Sequence, residues 1–291
     1  MVTASTRSAT PAARCGVGCP RSATSSRSTC WKARIYCTRR RRLDGEPPTA
    51  TRPFAQPERT LLPEPLPLED ASWVTALPPA KTPWSLQHWS ERFRWRPAPE
   101  LNGLVIELRQ NLDSPDAKIA PALKGFEQAI ADAKPVNLVV DMRLNGGGNL
   151  NLTRDFMTSL PSRVPGRIFV LTSPLTFSAA ISSVGYLKQA APDRVTIVGE
   201  HVGDRLVFFA EGRGVDLPNN LGMIGMATQR HDYQGGCKAF TDCHGAVVRS
   251  PIAVPSLAPE ISAPWTIEAY LAGMDPAIEA VTRSLRDPAR R

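Results

Sequence analysis

Several common functional signatures are missing from this 291-residue sequence. It contains neither the Gly-x-Gly-x-x-Gly pattern of dinucleotide-binding loops nor the Gly-Lys-Ser/Thr pattern of phosphate-binding loops. Its four histidines and six cysteines do not follow the spacing of a metal site. The sequence therefore predicts neither a cofactor nor a bound metal.

The N-terminal segment lacks an apolar run long enough for a signal peptide or a membrane span. Its first 44 residues instead hold nine arginines and one lysine against a single acid, Asp44, whereas the other 247 residues carry 25 basic and 26 acidic groups. The formal net charge of +8 therefore belongs to the tail. Residues 1–60 are predicted to be a disordered, basic tail rich in Pro, Ser and Arg, whose composition also resembles out-of-frame translation of a GC-rich gene. The run Arg39–Arg42 could contact nucleic acid or anionic lipid, but a solvated tail is favoured and no nucleic-acid partner is expected.

Residues 61–100 are predicted to form a proline-rich connector followed by an aromatic segment. Four large aromatic side chains lie close together there: Trp84, Trp89, Phe93 and Trp95. Because such side chains are usually buried, this segment is expected to pack on the body of the protein.

From Leu101 onward, apolar strands alternate with helical patterns. Ile119, Leu123, Phe126 and Ile130 recur at helical spacing, and the stretch "VNLVVD" is almost wholly apolar, as in a strand buried on both faces. Repeated strand–helix units imply right-handed crossovers, so the predicted class is α/β with a largely parallel sheet. Residues 205–262 are expected to hold short strands and turns, and "DPAIEAVTRSL" a closing helix.

Two strand ends carry residues that could do chemistry. One strand ends at Asp141 and is followed by Gly146, Gly147 and Gly148, whose exposed amides could hold a developing oxyanion. Another strand ends just before Ser178, which is followed by alanines and a predicted helix. Taken by itself, Ser178 is either a helix N-cap or a nucleophile.

Together the two strand ends resemble the C-terminal processing (tail-specific) serine peptidase family, over about residues 101–285. The resemblance rests on Asp-x-Arg-x-Asn-x-Gly-Gly at Asp141, Arg143, Asn145, Gly147 and Gly148, on Thr176, Ser178 and Ala179, and on Val198, Gly199 and Glu200. It implies a short bacterial member with a crotonase/ClpP-like core and a peptide or protein substrate. It also implies that Ser178 is the nucleophile, that Gly147, Gly148 and Ala179 form the oxyanion hole, and that Asp141, Arg143 and Asn145 support the loop.

The sequence departs from this family at the general base. Arg205 stands where the processing branch has its lysine, and an arginine stays protonated in proteins. Ile181 replaces the family's acidic residue. His201, in the loop after Val-Gly-Glu, is the leading candidate base, ahead of three other histidines: His88, His231 and His244.

These observations predict a serine-type peptidase that acts through an acyl-enzyme on Ser178. The alternatives are a catalytically degenerate member that binds a peptide or a small apolar ligand, and a truncated product that folds poorly. Cys237 and Cys243 are six residues apart and could be a local disulfide or two free thiols. The resemblance implies a periplasmic or secreted location, although this chain shows no signal peptide.

Overall fold

The computed structural model describes residues 14–17, 35–38, 77–88, 90–220, 222–238 and 242–287. The chain divides into two units, residues 1–58 and 59–291. In the first unit, strand β1 (Arg14–Val17) pairs antiparallel with strand β2 (Ile35–Thr38). The remainder of the predicted tail, including Arg39–Arg42, lies outside the described residues, so its disorder stays a prediction.

The second unit is built on a six-stranded sheet in the order β10-β7-β6-β5-β4-β3. Neighbouring strands are parallel except β3, which runs antiparallel to β4 at one edge. The strands are β3 (Phe93–Ala98), β4 (Gly103–Leu108), β5 (Asn137–Asp141), β6 (Ile168–Thr172), β7 (Val195–Gly199) and β10 (Ile261–Ser262). The predicted α/β class with a largely parallel sheet is confirmed.

Helices cover both faces of this sheet, because the strands are apolar on both faces. Along β4, Leu104, Ile106 and Leu108 join a core with α1, α2 and α3, whereas Val105 faces a second core with α6. The helices are α1 (Ile119–Ala133), α2 (Arg154–Arg163), α3 (Ala179–Ala190), α4 (Gly245–Arg249), α5 (Ile267–Leu271) and α6 (Pro276–Arg286). Among the described residues, no helix combines the length and hydrophobicity needed to cross a membrane.

The region predicted to hold only short strands instead contains a long hairpin. Strands β8 (Val207–Asp216) and β9 (Met223–Asp232) are ten residues each and pair antiparallel. Most of their side chains are exposed, including the apolar Phe209 and Met223. Because few of these side chains are buried, the hydrophobic pattern could not reveal the length of this arm.

The aromatic segment packs on the sheet, as expected from its composition. It supplies β3, and the Arg94 guanidinium lies 4.1 Å from the centre of the half-buried Trp84 ring. Trp95 is 49% exposed, and Trp89 lies outside the described residues. This segment precedes residue 101 in the chain but completes the same sheet.

Candidate active site

Ser178 occupies the turn between β6 and α3 in an unusual backbone conformation. Its φ of 54° and ψ of −125° lie outside the regions that non-glycine residues prefer. It stands at the N-cap position of α3, yet its side chain makes no capping hydrogen bond. The hydroxyl is therefore not used as a helix cap, which is one of its two predicted roles. Non-glycine residues held in such strained conformations cluster at functional sites.

The glycine loop after β5 lies directly against this turn. A Cβ atom at Gly147 would come within 2.7 Å of the Phe177 carbonyl oxygen and 2.7 Å of the Ser178 Cβ, so only glycine allows this approach. The Phe177 amide donates to the Asn145 carbonyl oxygen at 3.0 Å. The two strand ends identified in the sequence therefore form one site.

The loop amides differ in what they bind. The Gly147 amide donates to Asn145 Oδ1 at 2.9 Å, so it is already engaged. The amides of Gly148 and Ala179 donate to no protein acceptor within the described part of the chain. Ala179 is the first residue of α3, where amides lack intrahelical partners and the helix dipole favours negative charge. Gly148 and Ala179 thus have the amides that could stabilise an anion.

Asn111, which follows β4, is a central residue of the site that the sequence analysis missed. It is completely buried, and its Oδ1 accepts a hydrogen bond from Asn145 Nδ2 at 2.8 Å. Its Nδ2 lies within donating distance of the Ala179 carbonyl oxygen (3.1 Å) and of Ser183 Oγ (2.8 Å). Its backbone amide donates to the Gly147 carbonyl oxygen at 2.8 Å. Asn111 therefore joins the glycine loop to α3, a role for which its position in the sequence carried no signal.

Asp141 and Arg143 form a buried ion pair at the end of β5. Arg143 Nη2 donates to Asp141 Oδ2 at 2.6 Å and to Asp275 Oδ2 at 2.8 Å. Burial by itself would raise the pKa of Asp275, but the charge and hydrogen bonds of Arg143 lower it below its usual value. The Arg143 carbonyl oxygen accepts from Ser173 Oγ, which lies just before the Ser178 turn. These contacts connect the end of β5 to the segment before Ser178, and the loop-supporting role of Asp141 and Arg143 stays a prediction.

His201 lies in a loop that is attached to the Ser178 turn. The Glu200 amide donates to the Thr172 carbonyl oxygen at 3.0 Å, and the Gly203 amide donates to the Thr176 carbonyl oxygen at 2.9 Å. The His201 side chain itself is exposed, and it makes no hydrogen bond with Ser178 within the described residues. Arg205 in the same loop is also exposed.

His231 is buried at the base of the β8–β9 arm and has partners at both ring nitrogens. Nδ1 lies 2.7 Å from Tyr233 Oη, and Nε2 lies 2.6 Å from Glu211 Oε2. Tyr233 Oη in turn contacts Ser182 Oγ at 2.6 Å. Since neither nitrogen of His231 is free, this arrangement does not offer it as a base for Ser178.

His244 stacks on His231, with ring centroids 5.1 Å apart. Its Nδ1 contacts Gln229 Oε1 at 2.6 Å and lies 4.0 Å from Glu211 Oε2. Burial lowers the pKa of His244. Burial by itself would raise the pKa of Glu211, but the hydrogen bond and charge of His231 together with the charge of His244 lower it. His244 thus belongs to the His231 cluster and not to the Ser178 turn.

Cys237 and Cys243 form a disulfide, which decides between the two states predicted for them.

His88 is exposed and pairs with Glu91 at 3.7 Å. Asp232 is adjacent to His231 in the chain, but strand neighbours face opposite sides, and the partner of His231 is Glu211.

No protein-family profile and no curated protein sequence matches this chain. Among solved structures, it is similar to a candidate peptidase from Parabacteroides merdae, with 14% identity and a TM-score of 0.43 over 67% of this chain and 65% of that one. A candidate protease from Bacteroides fragilis gives 14% identity and a TM-score of 0.39 over 67% of this chain and 56% of that one. A C-terminal processing protease of photosystem II gives 18% identity and a TM-score of 0.36 over 64% and 47%.

This chain therefore spans 47% to 65% of the length of those three proteins, all of which are named as peptidases or proteases. Likeness this distant gives no residue-by-residue correspondence.

Proposed function

We propose that this protein is a serine-type peptidase of the tail-specific kind, with Ser178 as its nucleophile. The observation that carries the proposal is the conformation of Ser178: a strained turn between a strand and a helix, with a hydroxyl that caps nothing. A sharp turn of this sort presents a serine hydroxyl at the carboxyl ends of the strands of a parallel sheet. Nearby, the amides of Gly148 and Ala179 have no protein acceptor among the described residues.

In the proposed reaction, Ser178 Oγ attacks the carbonyl carbon of a peptide bond while a base removes the hydroxyl proton. The carbonyl oxygen becomes an oxyanion that accepts hydrogen bonds from the Gly148 and Ala179 amides. The carbon–nitrogen bond then breaks, and the amine leaves with the proton. Water hydrolyses the resulting acyl-enzyme and restores the serine. Gly147 has a different part here, since its amide binds Asn145 and its missing side chain lets the loop approach Ser178.

His201 is the base in this proposal. Its loop is attached to the Ser178 turn by the hydrogen bond from Gly203 to Thr176. Catalytic hydrogen bonds are often long or absent before a substrate binds, so an exposed ring in this loop fits the role. The other three histidines have partners elsewhere, in Glu91 for His88, Glu211 for His231 and Gln229 for His244.

The surroundings of Ser178 favour an apolar substrate side chain. Phe177, directly before the serine, is 44% exposed, and Leu112, which lies against Gly148, is 50% exposed. Covering exposed apolar groups beside a reactive centre with an apolar ligand is favourable, because it removes apolar surface from water. An extended peptide with an apolar residue at the cleaved bond is the expected substrate.

The first experiment is labelling with a fluorophosphonate, followed by intact mass spectrometry. We expect one adduct on the wild-type chain and on Ser256→Ala, a control at an exposed loop serine, and no adduct on Ser178→Ala. A wild-type chain that unfolds cooperatively but takes up no label would contradict the proposal, as would equal labelling of Ser178→Ala.

His201→Gln identifies the base. The labelling rate should fall by about 100-fold or more, and the dependence of the rate on the ionisation of a histidine should disappear from its pH profile. An unchanged profile would remove His201 from the mechanism without affecting the case for Ser178.

A binding protein without catalysis is the second candidate. It is favoured by one observation: within the described residues, the Ser178 hydroxyl has no hydrogen-bond partner that could act as a base. Arg205, where the resembled family has lysine, agrees with it. Binding of an apolar peptide by a folded chain that takes up no label would select this candidate.

A further inference from the structure

A second cluster of reactive side chains lies at the base of the β8–β9 arm. Glu211 lies on β8 and His231 on β9, and His244 directly precedes α4. One ligand atom from each lies within 4.8 Å of the other two. The three are separated by 20 and 13 positions in the chain, a spacing that resembles no metal-binding motif. This explains why the sequence predicted no metal.

The backbone of β8 departs from regular geometry to bring Glu211 into the cluster. Phe208 pairs with His231 across the hairpin, so these two side chains share one face. Glu211 is three residues further along β8, and regular alternation would place it on the opposite face. Its φ is 45°, a left-handed value that is costly for glutamate, and its carboxylate nevertheless reaches His231. The strand thus has a kink at the one residue that supplies the carboxylate.

The His231 ring is oriented by neighbours other than Glu211. Its Nδ1 contacts Tyr233 Oη, which is held by Ser182 Oγ, and both of these residues are completely buried. Phe208 stacks on the ring at 4.8 Å. Metal-binding histidines almost always have their second nitrogen hydrogen-bonded in this manner, because that bond sets the tautomer and the direction of the first nitrogen.

Of the arginines near the cluster, Arg249 acts on His244 through its charge, whereas Arg230 is paired with carboxylates. Arg230 Nε lies 2.9 Å from Asp242 Oδ2, and its Nη1 lies 3.4 Å from Asp232 Oδ2. The cluster itself contains one carboxylate and two imidazoles, which is a set that zinc prefers.

We propose that Glu211, His231 and His244 bind a divalent transition metal, with Zn²⁺ as the expected ion and water as the fourth ligand. Tetrahedral zinc with ligands at about 2.0–2.2 Å places its ligand atoms about 3.3–3.6 Å apart. The 2.6 Å contact between Glu211 and His231 must therefore widen, and the 4.0 Å gap between Glu211 and His244 must close. His244 is 25% exposed, and it can make this move by exchanging its contact with Gln229 for the metal.

Isothermal titration calorimetry with ZnCl₂ on the full-length chain tests the proposal. The N-terminal cysteines can also bind zinc as thiolates, so all titrations use a background with Cys15, Cys19, Cys30 and Cys37 replaced by serine. We expect one zinc ion per chain in this background and in the control His88→Gln. Thermal unfolding should shift to higher temperature with zinc in both proteins.

Two ligand variants at partly exposed positions, His244→Gln and Glu211→Gln, should each weaken zinc binding by on the order of 100-fold or more. Tyr233→Phe, which removes only the hydroxyl that orients His231, should weaken it by about 10-fold. The absence of zinc binding in the background protein would overturn the proposal. The proposal would also be overturned if His244→Gln and Glu211→Gln bound zinc as tightly as the background protein does. Binding of MgCl₂ by the background protein as tightly as ZnCl₂ would overturn it as well.

Discussion

At the scale of single residues, the backbone of Ser178 is the strongest sign of function in this chain. A serine gains nothing in stability from a φ of 54° and a ψ of −125°, and such a conformation costs on the order of 1–3 kcal/mol. The surrounding contacts enforce it, because Gly147 packs against the turn and Asn145 binds the amide of Phe177.

Replacing Ser178 by glycine should therefore stabilise the protein. Glycine adopts positive φ readily, so Ser178→Gly should raise the free energy of unfolding by about 1 kcal/mol after allowing for the greater freedom of glycine in the unfolded chain. Ser178→Ala is the matched control, since alanine keeps the penalty at positive φ and should give no such gain. Chemical denaturation of both variants measures the difference. Equal stability of the two would show that the turn is not strained.

At the scale of elements, Asp275 connects α6 to the loop that follows β5. Its carboxylate accepts hydrogen bonds from Arg143 Nη1 at 2.9 Å and from Ser85 Oγ at 2.9 Å. It also caps α6 by accepting from the Ala277 amide at 3.1 Å. One half-buried side chain thus holds a helix, Arg143 and the segment that precedes β3 together.

Asp275→Asn should lower the free energy of unfolding by about 3 kcal/mol, because it leaves part of the buried charge of Arg143 uncompensated. Since the folded-state pKa of Asp275 is lowered, its contribution is complete above the ordinary aspartate pKa of about 3.9 and is lost as the pH falls below it. Acid unfolding should therefore be less steep in Asp275→Asn. The control is Asp132→Asn, at an exposed residue of α1. A loss no larger than that of this control would contradict the assignment.

At the scale of the whole molecule, a buried network ties the segment before β3 to the sheet. Glu107 Oε2 accepts from Arg94 Nε at 2.7 Å, and Glu107 Oε1 lies 3.1 Å from Arg109 Nε. Arg109 also donates to the carbonyl oxygens of Ser85 and His88 at 3.0 and 2.7 Å. Burial, followed by the charge of Asp141, raises the pKa of Glu107 to about 7, against the opposing effect of the two arginines.

This shift predicts an unusual dependence of stability on pH. Between the unfolded value of 4.5 and about 7, the folded protein binds more protons at Glu107 than the unfolded chain does. The free energy of unfolding should therefore fall as the pH rises through this range. Denaturant titrations from about pH 4.5 to 8 should show that slope in the wild type and in Glu100→Gln, an exposed control, but not in Glu107→Gln. The same slope in Glu107→Gln would assign it to another group.

Much of the sheet and of the Ser178 turn could be predicted, because their signals are local. The helical spacing of Ile119, Leu123, Phe126 and Ile130 is found in α1, because these apolar positions repeat along one buried face. The β8–β9 arm was underestimated because exposed strands leave no pattern of burial. Asn111 and Asp275 were missed because a single buried polar residue looks like any other in the sequence.

The alternation of strands and helices, and the order of the glycine loop and Ser178 along the chain, can be read from the amino-acid sequence alone. These features depend on periodicity and on the conformational freedom of neighbouring residues. The contacts between polar groups depend on the three-dimensional fold, because the partners are far apart in the chain: Arg143 and Asp275 are separated by 132 positions, and Asn111 and Ser183 by 72. The fold also places Glu211 and His231 in contact, through a kink in β8 that alternation along a strand does not predict.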